Sequence, residues 1–224
     1  MSYVIAWITP SWTEYGPAKA LLDQHAPLIA WEDDAPTSPS DPTEYYYCRK
    51  TIKEHDVYLV NAEKDHCIYR AVQIMTRELK LQGKNIRMFI LGGIDYMANY
   101  STMNLGIGDC VINTFFDEET EAIFQFIRGS IHEESRKDAK SLLNAVDCLL
   151  NNQYGYTIGD RTCYAHALYN QSQADIENRM FCLDELPYML VLGLCEANLD
   201  QLELASRASA QTIMDILNKL EKLE

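Results

Sequence analysis

Positive charge is scarce in this chain. Its 224 residues include 19 Lys and Arg against 33 Asp and Glu, a formal charge of −14. Binding along DNA or RNA needs clustered cations that displace counterions from phosphate, so nucleic acid is not an expected partner. Docking on an anionic membrane surface is excluded for the same reason. No apolar run approaches the length of a bilayer crossing. The opening Met1-Ser2-Tyr3-Val4-Ile5-Ala6-Trp7-Ile8 has neither a basic segment nor a small-residue cleavage site, and a cytoplasmic location is the expectation.

Several chemical signatures are missing as well. The seven cysteines, Cys48, Cys67, Cys110, Cys148, Cys163, Cys182 and Cys195, are odd in number and contain no Cys-x-x-Cys pair. A zinc ribbon or dithiol redox site is therefore not expected, and buried free thiols are. His25, His55, His66, His132 and His166 are scattered, so no metal is expected. There is no Gly-x-Gly-x-x-Gly, no P-loop and no Gly-x-Ser-x-Gly. Nucleotide cofactors and serine hydrolysis lose their usual sequence support, and no cofactor is expected.

What the chain does have is alternation. Tyr3 to Ile8 reads as a buried strand, followed by a helix from Glu14 through Leu22 with Thr13 as its cap and Pro17 in its first turn. Asp33 to Pro42 is a proline-rich loop. Glu44 to Arg49 and Val57 to Val60 read as paired strands. Asp65 to Leu81 reads as a helix that Gly83 stops. Met88 to Leu91 is an apolar strand running into Gly92-Gly93, and Cys110 to Ile112 is another. Ala122 to Ile127 is left as strand or helix. Arg136 to Leu150 is amphipathic, Gly155 to Ile158 is a strand that Gly159-Asp160 turns, and Ala174 to Cys182 reads as helical. Pro187 opens a strand from Tyr188 to Leu194, and Leu202 to Leu223 closes the chain as a long amphipathic helix. Strands alternating with helices predict one domain over residues 1–224, with a parallel or mixed sheet covered on both faces. With 47% hydrophobic residues the chain can fill such a core.

Ligands of such sheets bind at the carboxyl ends of the strands. Three acids stand near those ends: Glu14 after the first strand, Glu177 before the last, and Glu196 directly after it. Converging carboxylates suit glycosidic cleavage, where one activates water, one holds sugar hydroxyls and one protonates the leaving group. The plain alternative is three solvated acids among many. Gly92-Gly93 lets backbone approach a ligand or forms a simple turn. His66 caps a helix, faces a pocket or sits on the surface. The triplet Tyr45-Tyr46-Tyr47 either stacks in a pocket or packs a sheet.

The ordered set of segments resembles a known family. Tyr3 to Ile8 with Glu14 and Ala18-Lys19-Ala20-Leu21-Leu22-Asp23, then His55-Asp56-Val57, Gly108-Asp109-Cys110-Val111-Ile112 and Leu186 to Glu196, is similar to the nucleoside-phosphorylase domains that fungi often fuse to NACHT or ankyrin regions. The resemblance implies a three-layer α/β/α sandwich with a twisted mixed sheet, and cleavage of the N-glycosidic bond of nucleosides by phosphate or water. It implies that Glu14 activates water, that Ile176-Glu177 stands for a Met-Glu pair holding the ribose, and that Glu196 protonates the purine. It also implies a homo-oligomer, dimer or trimer, acting on a small molecule. Gly92, Gly93, Asp95, Tyr96, Gly159 and Asp160 fall at substrate-binding positions. Departures accompany the match. A glycine-rich turn becomes Gly92-Gly93-Ile94-Asp95-Tyr96, in which Ile94 and Tyr96 would crowd the ribose side and Asp95 would repel phosphate. An expected arginine is Leu192, and Ser-Gly becomes Ile158-Gly159. A nucleosidase-like hydrolase of purine nucleosides is the first expectation. A scaffold repurposed for cyclisation or isomerisation, or a non-enzymatic sensing or assembly domain, is the alternative.

Overall fold

The computed structural model describes residues 3–25, 47–62, 75–77, 79–100, 104–113, 135–150, 155–158, 161–167, 188–196 and 198–220. Strand β1 spans Val4–Thr9 and helix α1 Trp12–His25. Strands β2 (Tyr47–Ile52), β3 (His55–Asn61), β4 (Met88–Tyr96) and β5 (Cys110–Asn113) follow. Helix α2 is Ser135–Leu150, β6 is Gly155–Ile158, β7 is Arg161–Ala167, β8 is Tyr188–Cys195 and helix α3 is Leu199–Lys219.

The eight strands form one mixed sheet in the order β2-β3-β1-β4-β8-β5-β7-β6. Strands β3, β1, β4 and β8 run parallel, so their carboxyl ends share an edge. Strand β5 runs antiparallel to β8, which brings its beginning to that same edge, and β7 runs parallel to β5. The outer pairs β2–β3 and β6–β7 are antiparallel. Helices cover both faces. On one, α1, α2 and α3 bury Tyr15, Leu22, Leu142, Val146, Ile213 and Leu217 against Ile5, Trp7, Ile90 and Val191. On the other, Met75 and Leu79 of the helical residues 75–77 and 79–81 pack on Ala6, Ile8, Val60, Phe89 and Leu91. The alternation of Ile5 and Trp7 with Ala6 and Ile8 is the period-two pattern of a strand buried on both sides. The three-layer sandwich with a mixed sheet is the architecture expected above.

Local chemistry sets the boundaries, and here some expectations are corrected. The cap of α1 is Ser11, not Thr13: Ser11 Oγ accepts the Thr13 N–H at 3.1 Å, and its carbonyl accepts the Tyr15 N–H at 3.0 Å. A hydroxyl two residues earlier serves the free N–H groups better because Thr13 is already helical. Pro17 consequently lies in the second turn. Gly83 does stop its helix. It sits at φ 73°, where the Gly83 N–H meets the Lys80 carbonyl at 3.0 Å and the Lys84 N–H meets that of Leu79 at 2.8 Å. These paired bonds require a left-handed residue, the conformation glycine adopts without penalty. Gly92-Gly93 is not a turn but the middle of β4, because pairing with β8 continues to Tyr96↔Cys195. Strand β7 had no expected counterpart. Its sequence Arg-Thr-Cys-Tyr-Ala-His-Ala mixes polar and apolar residues, and β5 and β6 pair with it from both sides. The expectations over 33–42, 44–46, 65–74, 122–127, 159–160, 174–182 and 220–223 lie wholly or largely outside the described residues, as do His66, Cys67 and Cys182.

Cys48, Cys110, Cys163 and Cys195 are buried free thiols, whereas Cys148 is exposed on α2. Burial pushes Cys110 up to about 12, against partial relief from the Thr212 hydroxyl, and pushes Cys48 up to about 11. Only thiolates alkylate readily. Iodoacetamide applied to the folded protein is therefore expected to modify Cys148 well before Cys48 or Cys110, as read by peptide mass mapping. Equal rates at Cys110 and Cys148 would contradict this packing.

Candidate functional site

The edge where β1, β3, β4 and β8 end also receives the turn that leads into β5. Strand β1 stops at Thr9, whose partner level on β4 follows from Ile8↔Leu91. Strand β4 runs on to Tyr96, past the level at which β1 ends. An added methyl at Gly93 would lie 3.8 Å from Pro10 and 3.1 Å from Leu192. One at Gly92 would lie 2.7 Å from the Trp7 indole nitrogen and 2.8 Å from Ile213. Gly92 thus has a packing reason to be glycine, since α3 and Trp7 press on it. Gly93 projects to the opposite face, beside Leu192.

Glu14 lies in the first turn of α1 and is buried. The helix start favours its negative charge. Its carboxylate accepts the Ser11 hydroxyl, whose oxygen in turn accepts the Thr13 N–H, so the cap of α1 also fixes this acid. Glu196 follows β8 and is exposed. Its backbone N–H donates to Gln201 Oε1 at 2.8 Å and its carbonyl accepts the Asn198 N–H at 2.7 Å, which ties it to the head of α3. With β4 between them, β1 and β8 are roughly 10 Å apart across the sheet, and β8 runs on past the level of Thr9, from Val191 to Cys195, before reaching Glu196.

Asp95 sits at the far end of β4, and its Oδ1 accepts the Tyr96 N–H at 2.8 Å. The Tyr96 side chain is half exposed. Alternation places Ile94 and Tyr96 on the face of Gly92, towards α3, and Asp95 on the face of Gly93. Burial, reinforced by the nearby Asp95 charge, raises the Cys195 thiol above its ordinary range. Glu177, Gly159 and Asp160 lie outside the described residues. Glu14, Gly93, Asp95, Tyr96 and Glu196 are all at the expected edge, and Gly92 is one step inside it.

Sequence reasoning passed over the best-connected acid of this edge. Asp109 closes the turn into β5 and is buried. Its Oδ2 accepts the Gly106 N–H at 2.8 Å and its Oδ1 the Tyr164 N–H at 2.8 Å. His166 Nε2 approaches Oδ2 at 3.4 Å. The backbone of Asp109 is bonded to Leu194, two residues before Glu196. The Gly-Asp pair before an apolar strand was visible as a likeness, but nothing in the spacing tied Asp109 to His166, 57 residues away. Among the described residues, no group of three or more His, Cys, Asp or Glu is placed to hold a metal ion, and no helix is long and apolar enough to cross a membrane.

No family model matches the chain, and no curated protein matches it. Solved structures do. Futalosine hydrolase of Helicobacter pylori superposes with a TM-score of 0.54 at 14% identity, over 98% of this chain and 99% of that one. A mutant of the H. pylori methylthioadenosine nucleosidase, with 5′-methylthioadenosine in its active site, gives 0.55 at 13% identity over 98% and 100%. The methylthioadenosine/S-adenosylhomocysteine nucleosidase of Colwellia psychrerythraea, in complex with adenine, gives 0.52 at 14% over 98% and 96%. Likeness at this identity speaks for architecture: the chain has the purine nucleoside phosphorylase/nucleosidase-type fold.

Proposed function

We propose that this protein is a nucleosidase-like hydrolase that splits the N-glycosidic bond of a purine nucleoside or a related compound. The observation that carries the proposal is Glu14: a buried carboxylate, oriented by Ser11, at the edge of this fold where Glu196 also stands. In the proposed reaction, water attacks the anomeric carbon and gives its proton to Glu14. The C–N bond breaks with its electron pair on the base, and Glu196 supplies the proton that makes the base a neutral leaving group. Positive charge grows on the sugar meanwhile, and the acidic edge stabilises it. To act as donor, Glu196 has to be covered once substrate is bound. Glu177 is assigned to the sugar hydroxyls by resemblance alone. Gly93, Asp95 and Tyr96, with Gly92 behind them, are assigned to substrate binding, and Gly159 and Asp160 are assigned to it by resemblance alone. The structural neighbours were solved with 5′-methylthioadenosine, adenine or another small molecule bound, which supports a small-molecule ligand here. We also propose a single domain, a cytoplasmic location, a homo-oligomer and a kinship with the fungal domains.

Incubation with adenosine, inosine and methylthioadenosine is expected to release free base, followed by chromatography. Because the resemblance puts Asp95 in the turn that would meet phosphate, and its charge would repel it, added phosphate is expected to leave the rate unchanged; clear stimulation would refute the hydrolytic form of the proposal. A repurposed scaffold is the second reading. It is favoured by Ile94-Asp95-Tyr96 extending β4 where a glycine turn was expected. Absence of base from all three nucleosides would select it.

A further inference from the structure

The pair Asp109–His166 lies outside the chemistry assigned so far, and its geometry is specific. A carboxylate only accepts hydrogen bonds. In the tautomer that donates from His166 Nε2 to Asp109 Oδ2, the ring presents its Nδ1 lone pair away from the acid. Asp109 is already anchored by two backbone N–H groups, from Gly106 and Tyr164, so it holds the ring rather than following it. The His166 side chain is 33% exposed in spite of this partner. Two residues earlier on the same face of β7, about 7 Å away along the strand, Tyr164 exposes 47% of its surface. The Tyr164 ring leans towards Gly155 of β6 and the His166 imidazole towards Asp109 on the β5 side, so an aromatic ring and an imidazole edge share one face of β7. They adjoin the turn that is hydrogen-bonded to Leu194, just before Glu196. Among the described residues, the titratable groups beside the ring are Asp109 from the turn before β5 and Tyr164, two residues earlier on the same face. Cys163 is buried on the opposite face.

We propose that His166, oriented by Asp109, reads the six-position of a purine stacked on Tyr164. This assignment rests on the nucleosidase reading for its ligand class. In that tautomer the ring accepts a hydrogen bond from a 6-amino group through Nδ1 and has no donor to offer a 6-oxo group. His166 is then the specificity-determining residue of the site.

The test is calorimetric binding of the free bases adenine and hypoxanthine. Wild type is expected to prefer adenine by about tenfold, the scale of one net hydrogen bond. His166→Phe keeps a ring at this partly exposed strand position and is expected to bind the two bases equally, with circular dichroism confirming that it folds. Equal binding of the two bases by wild type, or the wild-type preference retained in folded His166→Phe, overturns the proposal, as does failure of both bases to bind. Base binding of the expected form without hydrolysis of any nucleoside would leave this assignment standing and remove the nucleosidase reading.

Discussion

Replacement of Gly193 by alanine is expected to cost about 3 kcal/mol or more, enough to consume much of a typical domain's stability. An alanine methyl at this position would lie 1.8 Å from the Ala205 carbonyl oxygen and 2.5 Å from its carbon. Both belong to the backbone of α3, so no side-chain rotation relieves the clash. The whole helix would have to lift off β8. It is fastened there by the Ser209 hydroxyl, which donates to the Val191 carbonyl at 2.8 Å, and by Ala205, Ala208 and Ile213, all buried. Gly16→Ala is the control. Gly16 lies within α1, and apart from its chain neighbours nothing stands within 4 Å of its missing methyl. There the entropic gain of alanine in a helix, about 0.5–1 kcal/mol, is offset by the contact of the new methyl with the Pro17 ring, and little net change is expected. Urea titrations should show a large loss for Gly193→Ala and a small change for Gly16→Ala. A Gly193→Ala midpoint within error of wild type would mean that α3 does not pack on β8 this closely.

The contrast between these glycines shows what the sequence carried and what it did not. The strands β1, β4, β5 and β8 were legible because buried parallel strands are short unbroken apolar runs bounded by turn residues. Helix α3 was legible from its apolar period. Strand β7 was missed although Thr162, Tyr164 and His166 alternate with Cys163 and Ala165 as in a half-buried strand, because its inward residues are small and it lacks the unbroken apolar run that marks the others. Gly92-Gly93 misled for a related reason. Diglycine is a turn signal locally, but Trp7 and α3 need a flat strand surface at Gly92, which no local rule contains. In the site, Glu14 and Glu196 were legible from their place after apolar strands. Asp109 was overlooked because its partners, Tyr164 and His166, lie far along the chain, and only the pairing of β5 with β7 brings them together.

Glu14→Gln is expected to lower the rate of base release on the order of 10²–10⁴-fold, the usual loss when a general base is removed. The substitution preserves shape, and the glutamine carbonyl oxygen can still accept the Ser11 hydroxyl that holds the native carboxylate. What it removes is the negative charge at the head of α1. Structurally that charge contributes about 0.3–1 kcal/mol through its interaction with the helix dipole, so the folded protein should survive with a slightly lower melting temperature. Catalytically the loss is of another order, because amide oxygen cannot take the proton of the attacking water. The growing positive charge on the sugar also loses its nearest assigned counter-charge. The two readouts therefore separate: a small change in stability accompanied by a large fall in kcat. Ser11→Ala sharpens the argument. It frees the carboxylate from its orienting hydroxyl without removing the base, and should cost about tenfold, the value of one charge-assisted hydrogen bond. If Glu14→Gln released base at the wild-type rate, Glu14 would be a helix-capping acid only, and the reaction would have to draw its base from elsewhere on the edge.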